Sequence, residues 1–107
     1  MTLPEPVQSY FAADAVIDGA VPLCAFSRDA VVLDEGGTHV GDAAITSWWR
    51  AAKARYQNTS VPHSVRRDQD RIIVRATVTG RFPGSPTLLS FAFRLSDGRI
   101  AELEIGA

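Results

Sequence analysis

Cysteine is nearly absent: Cys24 is the one thiol in 107 residues, so no disulfide can form within the chain. Its neighbours Leu23, Ala25 and Phe26 predict a packed, structural thiol rather than a nucleophile. An excess of either charge sign is also missing. Eleven basic residues face twelve acidic ones, giving a net charge of −1 and no basic stripe able to neutralise a run of phosphates. Nucleic acid is therefore not an expected partner. No apolar run approaches the roughly 20 residues needed to cross a bilayer, and the segment Met1 to Pro6 has neither the basic start nor the apolar stretch of a signal peptide. These absences predict a cytoplasmic protein with no membrane partner. There is no internal repeat, no low-complexity tract and no glycine-rich phosphate loop, and His39 and His63 are too far apart in sequence for metal-ligand spacing. No cofactor and no metal are expected.

What is present is a globular composition, with 46% hydrophobic and 21% charged residues. A chain of this length has room for one core, so residues 1–107 are expected to form a single domain. Val7, Tyr10, Phe11 and Asp14 recur at helical spacing behind Pro4 and Pro6, either of which suits a first turn. Gly19 interrupts that pattern, and a short helical piece over about 21–26 starts from Pro22. Val31 to Leu33 and Thr38 to Val40 flank Asp34-Glu35-Gly36-Gly37, which reads as a hairpin turn. Asp42 is placed to cap a helix running to Tyr56, with Ile45, Trp48, Trp49, Ala52 and Tyr56 on one broad face.

Asn58 to Ser60 and Pro62 read as a break, after which the hydrophobic period changes from 3.6 to 2. Ile72, Val74, Ala76 and Val78 form one alternating set and Leu89, Phe91, Phe93 and Leu95 another, followed by a last strand over 100–105. Arg66 to Arg71, alternating in sign, read as a solvated turn. Helices first and strands after predict an α+β fold: a cone-shaped roll in which N-terminal helices pack on a curved antiparallel sheet and enclose a pocket.

This order of elements, with Ser27-Arg28-Asp29-Ala30-Val31-Val32 before the hairpin and Gly41-Asp42-Ala43-Ala44-Ile45 opening the long helix, resembles the nuclear-transport-factor-2-like superfamily. Within it the chain is most similar to the ketosteroid isomerase and polyketide cyclase (SnoaL-like) branch. The resemblance implies a proton-shuttling acid at the end of the first strand, which is Asp34 here, and an oxyanion-hole tyrosine on the first helix, which falls on Tyr10. The second oxyanion donor of the isomerases, a protonated acid, falls near Ser90 or Phe91, neither of which is an acid. Their supporting tyrosine on the long helix falls on Trp49, whose indole donates but cannot accept. The resemblance also implies a homodimer through the open sheet face, which would carry Arg75, Thr77, Thr79 and Arg94.

Moving a proton beside a carbonyl requires a base within reach of carbon and a donor at the oxygen where charge develops. Asp34 and Tyr10 would fill these roles. Each also has a plainer reading: Asp34 as the residue that starts a turn, and Tyr10 as a core tyrosine. Glu35, next in an extended strand, would point away from the pocket into solvent. Trp49, Tyr56 and Phe93 are candidates to line a pocket for a flat apolar ligand, with Trp48 a further aromatic on the same helix face. His39 could carry protons at the pocket mouth. Asp14, beside the apolar stripe of its helix, could pair with Arg75 or Arg94 in the manner of the superfamily's epoxide hydrolases. Two functions follow, an isomerase- or cyclase-like enzyme acting on a small apolar carbonyl or enol compound and a noncatalytic module binding a hydrophobic metabolite. A scaffold with a filled core is a third.

Overall fold

The computed structural model describes residues 2–107 and has two helices packed on one sheet. Helix α1 (Glu5–Asp14) has proline in its first turn, where the missing N–H costs nothing, and buries Val7, Tyr10, Phe11 and Asp14. A 3₁₀ turn (Leu23–Ala25) is all that forms of the expected helical piece over 21–26. Ala25 and Phe26 take the buried positions there and leave Cys24 exposed, so the expectation of a packed thiol is corrected. Strands β1 (Phe26–Asp34) and β2 (Gly37–Val40) form the hairpin, and helix α2 (Gly41–Tyr56) follows without a side-chain cap. Asp42 lies inside its first turn, where a carboxylate faces the positive end of the helix dipole.

Strand β3 (Thr59–Asp68) runs through the segment expected to be a break, and takes in Arg66, Arg67 and Asp68 from the expected charged turn. Only Gln69 and Asp70 turn the chain into β4 (Arg71–Thr79). Pro62 is tolerated because β3 is an edge strand, and the register shifts between Pro62 and Ser64. β5 (Thr87–Ser96) and β6 (Arg99–Gly106) complete a six-stranded sheet in the order β2-β1-β6-β5-β4-β3. The α+β roll holds, with one feature that alternation does not reveal: the sheet is mixed. β1 pairs in parallel with β6, while its other pairings are antiparallel.

The inner sheet face supplies Val32, Ile72, Val74, Ala76, Val78, Phe91, Phe93, Ile100 and Leu103 to a core shared with both helices. Tyr10 sits among aromatic rings, with centroids 5.2 Å from Phe11, 5.5 Å from Phe93 and 5.6 Å from Trp49. The loop after α1 is pinned where Gly19 meets the helix: a Cβ there would lie 2.1 Å from the Ala13 carbonyl oxygen, and the Gly19 carbonyl accepts the Trp49 indole N–H at 2.8 Å. Gly19→Ala is expected to destabilise the fold by about 1–3 kcal/mol, read as a lower Tm, because the backbone must shift to admit the methyl group. Gly106→Ala, with no atom within 4 Å of the added carbon, is expected to leave Tm unchanged.

Candidate functional site

Between the helices and the inner sheet face lies a cavity of about 540 Å³. Its deep end is polar. Asp14 Oδ1 accepts from Lys53 Nζ at 2.7 Å, Asp14 Oδ2 accepts from the Ser60 hydroxyl at 2.6 Å, and both charged residues are buried. Lys53 also donates to the carbonyls of Asn58 at 2.7 Å and Val16 at 3.1 Å, which uses all three ammonium N–H groups. Asp14 therefore pairs with Lys53, correcting the expected partners. Arg75 instead bonds Ser90 and Arg94 pairs with Glu102, neither of them at the cavity.

Asp34 ends β1, and its carboxylate lines the cavity, where Oδ2 accepts the Trp48 indole N–H at 3.0 Å. Burial raises its pKa above the ordinary aspartate value, against the Trp48 hydrogen bond, which lowers it; the Glu35 charge adds to the rise. Tyr10 lines the same cavity. Its hydroxyl is held well above the ordinary tyrosine pKa, first by burial and then by the charges of Asp14 and Asp34, so it stays protonated and able to donate.

The rim is built from Glu35, Arg55, Tyr56, Phe82 and Pro83. Glu35 has a left-handed backbone, with φ of 52°, so strand alternation ends before it and both members of the Asp34-Glu35 pair reach the cavity. This corrects the expectation that Glu35 points away. Its carboxylate accepts the Tyr56 hydroxyl at 3.0 Å, and the Tyr56 ring meets Phe82 edge-on.

Of the residues expected at the site, Asp34, Tyr10, Trp49, Tyr56 and Asp14 line one cavity. Phe93 does not: it is fully buried in the core beside Tyr10 and Phe11. His39 also lies outside the lining, with its ring 6.0 Å from that of Trp48. Trp48 as the partner of Asp34, and Lys53, Asn58 and Ser60 at the deep end, were not foreseen. Lys53 carried a usable signal, since it continues the buried stripe of Ile45 and Trp49 at four-residue spacing.

Ionised Asp34 is a burden on the fold. Its folded pKa lies above its unfolded one, so its contribution to stability is complete below the unfolded value and is lost as pH rises through the folded value. Asp34→Asn, which keeps an acceptor for Trp48, is expected to raise Tm at pH 7, with the gain vanishing at acid pH in thermal melts run across the range.

The SnoaL-like domain model matches residues 7–103. A crystal structure of a provisionally named polyketide cyclase from Sinorhizobium meliloti shares 48% identity, with a TM-score of 0.89 over 96% of this chain and 94% of that one. A hypothetical protein with a ketosteroid isomerase-like fold from Catenulispora acidiphila, crystallised in complex with trimethylamine, shares 21% identity, with a TM-score of 0.83 over 99% and 87% of the two chains. A provisionally named polyketide cyclase from Pseudomonas putida shares 22% identity, with a TM-score of 0.79 over 100% and 92%. The last two speak for the fold alone. No curated protein matches the chain.

Proposed function

The chain belongs to the SnoaL-like domain family, and from that premise and the chemistry of its cavity we propose a cofactor-independent isomerase- or cyclase-type enzyme that moves a proton on a small, largely apolar carbonyl or enol compound. One observation carries this reading: a partly buried carboxylate with a raised pKa shares an aromatic-walled cavity with a protonated tyrosine hydroxyl. A base is most effective when its pKa approaches the working pH while it remains ionised, and burial moves Asp34 in that direction. Trp48 fixes one carboxylate oxygen, which supports the other as the atom that takes the proton. Tyr10 is the donor for the oxygen where charge develops.

The alternative, a noncatalytic binding module for a hydrophobic metabolite, is favoured by one residue. Phe91 puts a ring in the cavity wall near the position where the isomerases carry their second donor, and Ser90 is engaged by Arg75 at 2.8 Å. Exchange of the α-hydrogens of 1-tetralone in D₂O, followed by NMR, separates the two readings. An enzyme is expected to lose about 10²–10⁴ in rate on Asp34→Asn, and about 10²–10³ on Tyr10→Phe. Exchange in the wild type no faster than in buffer would leave the binding module as the function.

The outer sheet face is the proposed homodimer surface. Register places Val31, Leu33, Ile73 and Ala92 there beside the ion pairs of Arg71 with Glu102 and Glu104, both at 3.0 Å. Among the described residues both helices pack on the inner face, so the apolar members of the outer face gain by meeting a second copy. Sedimentation equilibrium at micromolar concentration is expected to give twice the chain mass; a monomer would rule out this pairing.

A further inference from the structure

The two aspartates in the cavity wall are neutralised differently. Asp14 has a resident cation in Lys53, at 2.7 Å. Asp34 has none: among the described residues no lysine, arginine or histidine lies within ion-pair distance, and its side-chain partner is the neutral Trp48 indole. Of the ionisable groups that act on it, Glu35 is of its own sign and raises its pKa, while His39, outside the cavity lining, lowers it. Of the two cations in the wall, neither is placed against Asp34. Lys53 has spent all three N–H groups on Asp14, Val16 and Asn58, and Arg55 is exposed at the rim, with its guanidinium 5.1 Å from the Tyr56 ring centre.

This arrangement suits one charge type of substrate better than another. Proton transfer from a neutral ketone to Asp34 moves the negative charge from the carboxylate to an enolate, which the uncharged Tyr10 hydroxyl must then meet. Taking the same proton from a cation creates no anion. The walls also favour a cation, because the aromatic side chains of Tyr10, Trp48, Tyr56 and Phe82 line the same cavity as the Asp34 carboxylate.

We propose that the substrate is cationic at its reacting group, a protonated imine or iminium, with Asp34 as both its counter-ion and the base for its α-carbon. This rests on the proton-transfer reading of the same cavity. The α-carbon–hydrogen bond breaks and its electron pair forms a C=C bond. The C=N⁺ π pair becomes the nitrogen lone pair, and the proton goes to the Asp34 carboxylate. An ion pair becomes a neutral acid beside a neutral enamine, and return of the proton to the α-carbon, or to a conjugated position, regenerates the cation.

The test compares N,1-dimethyl-3,4-dihydroisoquinolinium with 1-tetralone, flat bicyclic compounds of similar size, against the wild type and Asp34→Asn. Binding is read from the fluorescence of Trp48 and Trp49, and α-hydrogen exchange in D₂O from NMR, each corrected for buffer. The iminium is expected to bind about tenfold tighter than the ketone and to show the larger enzymatic acceleration of exchange, with Asp34→Asn removing both advantages. Equal or weaker binding of the cation, a preference that survives Asp34→Asn, or binding without exchange would overturn the proposal. If the ketone is then still exchanged, the carbonyl reading stands alone; if neither compound is exchanged, both readings fall.

Discussion

An ammonium taken out of water must have each of its N–H groups met, and Lys53 meets that demand by drawing together three parts of the chain: Asp14 at the end of α1, Val16 in the loop after it, and Asn58 at the entry to β3. Ser60 adds β3 through its bond to the other Asp14 oxygen. The helices are thereby tied at one end by charge. Removing one member of such a buried pair typically costs about 3–5 kcal/mol, because the other is left uncompensated. Tyr10 lies one turn before Asp14, and Trp49 one turn before Lys53, so the ion pair and the 5.6 Å ring contact form successive rungs between α1 and α2. The Lys53 ammonium also sits 5.1 Å from the Trp49 ring centre. Whatever Tyr10 offers a ligand, its position depends on this clamp.

The same cavity therefore holds one carboxylate spent on architecture and one left available for chemistry. Asp14 is saturated by Lys53 and Ser60, whereas Asp34 has neutral donors and a raised pKa. A fold optimised only for stability would not keep an ionisable group in that state, and tension of this kind marks functional sites more often than structural ones. The rim adds a hydrogen-bonded strut: Glu35 and Tyr56 join the β1–β2 turn to the end of α2 above the cavity.

Periodicity made the two helices and strands β4 and β5 legible, because each has one continuous buried face with the right repeat. β3 was hidden for the opposite reason. As an edge strand it is largely solvated, so it carries charges and tolerates Pro62 without an apolar alternation to mark it. Asp34 and Tyr10 were placed by resemblance, and the cavity brings them together. Lys53 is hidden in the sequence because lysine on a helix reads as solvent-facing until a buried acid claims it. Phe93 and Tyr56 could not be told apart as cavity residues from spacing alone, since sheet curvature and the end of α2 decide which ring meets open space. Glu35 escaped the alternation rule through a single left-handed residue, which no hydrophobic pattern encodes.

The parallel pairing of β1 with β6 joins residues far apart along the chain. Within the sheet, β1 has only β2 and β6 for neighbours, and β6 lies near the C-terminal end of the sequence. During synthesis on the ribosome, the first hairpin and α2 therefore emerge with one flank of β1 unpaired, and they stay so until β6 has left the exit tunnel. Sheet completion waits on β6, and nascent chains stalled before Arg99 present β1 and β5 as open edges, the surfaces by which unfinished chains find one another.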